Sequence, residues 1–282
     1  MLARPAVRGY FDAPFGQIHY RSTDAGSEGG TDAGAGTGDS AVVLLHQSPL
    51  SSRQFEAVLP GFRAAGWRAV ALDLPGFGAS DPLPDPVSIE GYAAILPAAL
   101  RHFGWQRCAL VGHHTGAVIA AQYAADEPSR VTRLVLNGFP LLTAEERAHF
   151  GTFYFGPKTP TPDGSHLLTA WQNRLRSTPG WSDLELMHRY TVEGLMRGET
   201  NWKAFPLIIE ANLSALLQRL RVPTLLLTNS GEDLYAATQR ARDLRPGYFE
   251  YAELEGGTHD IIDEQSADWL RVVLRFLGEV PR

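Results

Sequence analysis

The sequence predicts an α/β fold, with one mostly parallel central sheet, helices on both faces and a helical cap inserted between two strands. Three observations predict it. Short apolar runs alternate with amphipathic stretches from Ala41 onward, the alternation lapses between Leu142 and about Leu220, and turns bearing histidine and carboxylates follow the strand candidates.

Taken in order, Arg8 to Phe11 and Gln17 to Arg21 read as an antiparallel hairpin at the sheet edge. Ser22 to Ser40, almost wholly Gly, Ala, Ser, Thr, Asp and Glu, has no large apolar residue to anchor it and reads as a mobile surface loop without calcium-loop spacing. Ala41 to Leu45, Ala69 to Leu72, Ala109 to Val111, Val131 to Leu136 and Thr224 to Leu227 read as buried parallel strands. Helices are expected between them at about Gln54 to Ala65, Ile89 to Phe103, Gly116 to Ala125 and Leu234 to Asp243, joined by right-handed crossovers. A last helix, capped by Ser266, puts Trp269, Leu270, Val273 and Phe276 on one face.

The stretch from Leu142 to Leu220 carries two capping-box pairs, Thr143 with Glu146 and Ser182 with Glu185, and Ile209, Leu213, Leu216 and Leu220 recur at helical spacing. The expected division is a core of residues 1–141 and 221–282 with a cap of 142–220. Aromatic residues are frequent in the cap, among them Phe150, Phe153, Tyr154, Phe155, Trp171, Trp181, Tyr190, Trp202 and Phe205. Most of them pack the cap onto the sheet, while a few face the pocket that a lid over a sheet crevice encloses.

Composition narrows the function. The 282 residues carry a net charge of −6, which argues against nucleic acid as a partner, and 44% hydrophobic with 20% charged residues is ordinary globular composition. The single cysteine, Cys108, allows no internal disulfide and no thiolate cage, and reads as a small core residue. The first residues lack the apolar stretch of a leader, and no run approaches the ~20 apolar residues of a membrane span, so the expected address is the cytoplasm.

The chemistry gathers at the carboxyl ends of the strand candidates, where an open parallel sheet binds its ligands. His46-Gln47-Ser48-Pro49 follows the first core strand, Asp73-Leu-Pro-Gly-Phe-Gly-Ala-Ser80 the second and Gly112-His113-His114-Thr115-Gly116 the third, while Asp233 and His259 lie in later loops. As a set, in this order, these pieces resemble the α/β-hydrolase superfamily over Gln17 to Leu277. The resemblance implies a sharp strand-to-helix elbow flanked by Gly112 and Gly116, an acid at Asp233, a base at His259, and an oxyanion hole from the backbone N–H groups of Ser48 and Thr115. It gives His113 a packing or hydrogen-bonding role and places His46 beside the pocket, while Gln47, where the family commonly has Gly, is a smaller departure expected to present an amide side chain there.

The departure is at the centre, where the family has Ser, Asp or Cys and this chain has His114. An imidazole projects further than a serine hydroxyl and brings its nitrogens toward His259. It can attack directly, giving a labile acyl-imidazole, or activate water with no covalent step. The expected function is hydrolysis of a small, largely apolar ester, lactone or similar molecule, with His114, Asp233 and His259 as the catalytic set. Two rival readings follow from the same residues: a non-hydrolytic lyase, cyclase or cofactor-free oxygenase that uses the His259–Asp233 dyad for proton transfer, and a binding protein without turnover. No dinucleotide fingerprint or phosphate-binding loop is present, so no cofactor is expected. A metal held by His46, His114 and His259 could be assembled at that edge, but no carboxylate has the matching ligand spacing, and the expectation is no metal. Asp73 is read as bracing its own loop, and uncharged Asn137 cannot replace Asp233. Asp260 is expected to point away from His259, at the surface or behind the site.

Overall fold

The computed structural model describes residues 6–23, 40–152, 156–180 and 183–278. Most of the expected Ser22–Ser40 loop, together with Phe153, Tyr154, Phe155, Trp181 and Ser182, lies outside them.

The chain enters through β1 (Val7–Ala13) and β2 (Gly16–Ser22), continues through β3 (Ala41–Leu45), α1 (Leu59–Ala64) and β4 (Arg68–Leu72), then α2 (Ile89–Ala93) and α3 (Ile95–His102). The centre is β5 (Cys108–His113), α4 (Thr115–Asp126) and β6 (Val131–Asn137). Five helices follow without a strand among the described residues: α5 (Ala144–Gly151), α6 (Ser165–Ser177), α7 (Leu184–Met196), α8 (Ala204–Glu210) and α9 (Leu213–Arg219). The chain then closes with β7 (Thr224–Asn229), α10 (Tyr235–Asp243), β8 (Glu250–Leu254), α11 (Ile261–Glu264) and α12 (Ser266–Leu277). The strand order is β1-β2-β4-β3-β5-β6-β7-β8, with β1 and β2 antiparallel and every pair from β4 to β8 parallel.

The period-2 alternation of the strands makes two cores. Val43, Leu45, Val70, Leu72 and Leu110 face one side, against α3, α4 and α9, whereas Val42, Leu44, Ala69, Ala71 and Val111 face the other, against Phe62 of α1 and Trp269 of α12. Helix α4 is buried from Thr115 through Ala124, so the turn that leads into it is held from all sides.

Proline explains where helices start again. Pro60 and Pro97 have no N–H, and their rings exclude the carbonyl four residues back. Gln54–Ala65 is therefore a short 3-10 turn at Ser52–Phe55 followed by α1, and Ile89–Phe103 divides at Ala94 into α2 and α3. Strand β8 escapes sequence reading because, as an edge strand, it buries only Leu254. The Thr143–Glu146 capping box forms as expected. At α7 the cap is Asp183, which accepts from the Leu186 N–H, and Ser266 is the first residue of α12 rather than its cap. Among the described residues no helix is long and apolar enough to cross a membrane.

Candidate active site

Strand β5 hands over to α4 at His114, the only non-glycine residue with positive φ among those described, at φ 47° and ψ −107°. That conformation strains an L-residue and turns its side chain out over the sheet edge. Both flanking glycines are obligatory on steric grounds. A Cβ on Gly112 would overlap the Gly116 carbonyl, and one on Gly116 would overlap the Leu45 carbonyl.

The His114 ring leans toward the loop after β7. Its Nε2 lies 2.7 Å from Glu232 Oε2, and the other carboxylate oxygen of Glu232 accepts from the Thr228 hydroxyl. The Glu232 side chain has no exposure and His114 has 14%. Burial by itself would lower the His114 pKa, but the hydrogen bond and charge of Glu232, helped by Asp233 and Asp260, outweigh it and hold the imidazole above its ordinary value. Gly138, at φ +63°, makes room for this pair: a Cβ there would overlap the His114 ring and lie 2.8 Å from Glu232 Oε2.

His113 packs beneath, its ring centroid 4.2 Å from that of His114. It is fully buried, and neither ring nitrogen has a hydrogen-bond partner among the described residues. Burial above all, with the neighbouring His114, His259 and His46, keeps it far below the usual histidine pKa.

His259 completes the crevice, with its ring 6.1 Å from His114 and roughly perpendicular to it. Its Nε2 accepts from Arg174 Nη1 at 3.2 Å, which leaves the ring proton on Nδ1. Burial chiefly, and the Arg174 and His114 charges in addition, lower its pKa despite nearby Asp260 and Asp233. Arg174 comes from α6 of the cap. Its other terminal nitrogen pairs with Asp260, and its guanidinium lies 5.0 Å from the Tyr190 ring centroid.

Of the two places expected for Asp260, the surface and behind the site, the structure has the second: it is fully buried, accepting from Arg174 and, at 2.9 Å, from Gln47 Nε2. Burial alone would raise its pKa, yet His259 and Arg174 hold it low. The Gln47 amide is thus turned onto Asp260. The Ser48 N–H donates to the Thr115 hydroxyl at 3.3 Å, which brings that loop against the elbow. The Thr115 N–H, at the first position of α4, has no carbonyl within its own helix to bond.

Asp233 is placed differently from expectation. Asp233 is exposed and forms no hydrogen bond among the described residues, so its neighbour Glu232 carries the contact to the elbow, and Asp233 acts only by charge. His46 is committed elsewhere: its Nδ1 donates to the Gln47 carbonyl at 2.7 Å and its Nε2 accepts from the Leu74 N–H at 2.9 Å. That removes it from any metal set with His114 and His259. Asp73 braces its loop, accepting from His19, the Ser52 N–H and the Ala79 N–H. Asn137 accepts from Trp269 at 2.5 Å.

Sequence reading missed Glu232, Arg174 and Gly138. The first was one residue from the carboxylate chosen, in Ser-Gly-Glu-Asp, and only the turn geometry decides which of the two faces inward. Arg174 gave no signal, because a charge on a cap helix reads as solvated.

Residues 40–265 match the family model described as "alpha/beta hydrolase fold". Over 126 residues the chain is 33% identical to a 2-hydroxy-6-oxononadienedioate/2-hydroxy-6-oxononatrienedioate hydrolase of Burkholderia vietnamiensis, covering 43% of this chain and 40% of that one. It is 35% identical over 104 residues to epoxide hydrolase 3 of Xenopus tropicalis, covering 35% and 27%. The chain thus aligns with well under half the length of these curated relatives. Among solved structures, an enol-lactonase from Burkholderia xenovorans superposes with a TM-score of 0.75 at 17% identity, over 95% of this chain and 99% of that one. Epoxide hydrolase A of Mycobacterium thermoresistibile gives 0.74 at 19%, over 96% and 98%.

Proposed function

The chain belongs to the α/β hydrolase fold family, and from that premise we propose that it hydrolyses a small, largely apolar ester, lactone or similar molecule, with water rather than a side chain as the attacking group. The observation that carries this reading is the 2.7 Å bond between His114 Nε2 and Glu232. It commits the outer nitrogen of the elbow residue, the one best placed to reach a carbonyl, and so argues against an acyl-imidazole.

In this reading the substrate lies between the sheet edge and a cap of residues 142–220, on a core of 1–141 and 221–282. Its approach displaces Arg174 from His259, whose Nε2 then takes a proton from water as the water oxygen bonds to the carbonyl carbon. The Thr115 N–H and, once it leaves the Thr115 hydroxyl, the Ser48 N–H face the oxyanion, with His114 held by Glu232. The carbon–oxygen bond to the leaving group then breaks, and His259 returns its proton to the departing alkoxide. Asp233 at the rim adds negative charge that favours protonated His259, His113 supports the elbow from beneath, and His46 and Gln47 fix the loop that carries Ser48. A cytoplasmic address belongs to the same reading.

The test is a panel of activated esters and lactones with the wild type and His259→Ala. Hydrolysis by the wild type that falls ~100-fold or more in the variant is the expected result. A folded wild type that hydrolyses none of the panel, while panel compounds still raise its melting temperature, overturns it in favour of binding without turnover.

A further inference from the structure

We infer that His113, His114 and Glu232 form a binding site for a divalent first-row transition metal ion, set at the elbow itself. One ligand atom from each of the three lies within 4.8 Å of the other two. Two imidazoles and a carboxylate are the donor set of open metal sites, in which three protein ligands leave a position for water or another oxygen ligand.

Proximity alone would be weak evidence, since Glu232 already satisfies His114. The second observation is His113. It is wholly buried, both its ring nitrogens lack a hydrogen-bond partner among the described residues, and its ring lies against that of His114. A buried imidazole ordinarily has at least one nitrogen bonded, and a group that does not calls for an explanation such as an ion. Coordination by one nitrogen supplies it.

The surroundings suit an ion as well. The Thr228 hydroxyl holds one carboxylate oxygen of Glu232, leaving the other toward the histidines, which is how outer hydrogen bonds orient a metal ligand. Gly138 leaves open the space that a Cβ would fill beside both His114 and Glu232. His114 Nε2 and Glu232 Oε2 are 2.7 Å apart around a shared proton. Tetrahedral ligands at ~2.1 Å from a metal stand ~3.4 Å from one another, so the pair must open by about 0.7 Å. The proton between them is released to solvent, and two neutral imidazoles and a carboxylate take the cation. The site excludes His259, whose Nε2 is on Arg174, and His46, both of whose nitrogens are bonded elsewhere. Without a thiolate the set suits zinc, cobalt or iron(II), and it differs from the all-oxygen sites that hold magnesium.

The experiment uses chelator-treated, dialysed full-length protein titrated by calorimetry with zinc, iron(II) under anaerobic conditions, and magnesium, and with cobalt(II) followed by visible absorption. Expected is 1:1 binding of zinc or iron(II) at least 100-fold tighter than magnesium, with cobalt d–d bands of low coordination number. Glu232→Gln and His113→Asn, each checked for folding by circular dichroism and melting, weaken binding at least 30-fold, and His259→Ala leaves it within threefold. Binding below 0.2 equivalents in the wild type overturns the inference, as does binding that survives in folded Glu232→Gln and His113→Asn or depends on His259. Ester hydrolysis by the same metal-free and loaded samples is scored separately. Metal binding without hydrolysis upholds the site and defeats the hydrolytic reading, and hydrolysis without metal binding does the reverse.

Discussion

Arg174 of the cap and Asp260 of the loop after β8 form an ion pair with 10% and 0% side-chain exposure, and the same guanidinium donates to His259. The pair ties the cap to the crevice. Removing one member leaves the other charge buried, so Arg174→Met should cost roughly 3–5 kcal/mol by urea denaturation. The double variant with Asp260→Asn should recover part of that loss. A single-variant cost below ~1 kcal/mol, the size of an exposed pair, would show that the tie does not form in solution.

Gly138 gives a sharper steric test. In Gly138→Ala the new methyl meets the His114 ring at a φ of +63° that alanine adopts only under strain. We expect a loss of at least ~1–2 kcal/mol from the backbone alone and a displaced His114, read as activity falling further than stability. Gly164, also at positive φ but with nothing near its absent Cβ, is the control for backbone strain without crowding.

Much of this was legible in the residues and some was not. The five central strands could be read because they are buried on both faces and hence continuously apolar, and the elbow because Gly112 and Gly116 have no steric substitute. β8 was missed since its edge position leaves Glu250 and Glu253 exposed. The choice between Glu232 and Asp233 was beyond sequence reading because adjacent residues in a turn differ only in which faces inward, a matter of backbone torsion. Arg174 acquires its role only when the cap folds over the sheet, through a contact 86 residues away in sequence.

That turn supports a direct comparison. Glu232→Gln removes the carboxylate charge from His114 at nearly constant shape, and turnover should fall ~100-fold or more. Asp233→Asn, at an exposed position, should cost less than tenfold. Parallel steady-state kinetics decide the matter, and the opposite ranking would return the acid role to Asp233.

A pH effect follows from a second cap contact. The Tyr190 hydroxyl donates to Asp263 at 2.5 Å, with Arg189 and Arg174 nearby and Asp260 opposing. Burial first, and Asp260 with it, push the Asp263 carboxyl up to about 7, despite Tyr190 and the two arginines. The folded pKa therefore exceeds the unfolded value of ~3.9, so Asp263 favours folding most below pH ~4 and loses that contribution as pH rises toward 7. Asp263→Asn should flatten the stability profile over that window by roughly 1–3 kcal/mol relative to wild type, allowing for its partial exposure. Urea midpoints from pH 4 to 8 measure it, and parallel profiles would contradict the shift.

Intact-protein mass spectrometry after rapid acid quench of a single turnover, with an activated ester that the enzyme hydrolyses, addresses the nucleophile directly. If water attacks, product appears while the chain keeps its unmodified mass at every quench time, in the wild type and in His259→Ala alike. A transient acyl adduct that maps to His114 would contradict this, showing that the elbow imidazole leaves Glu232 and attacks the carbonyl itself.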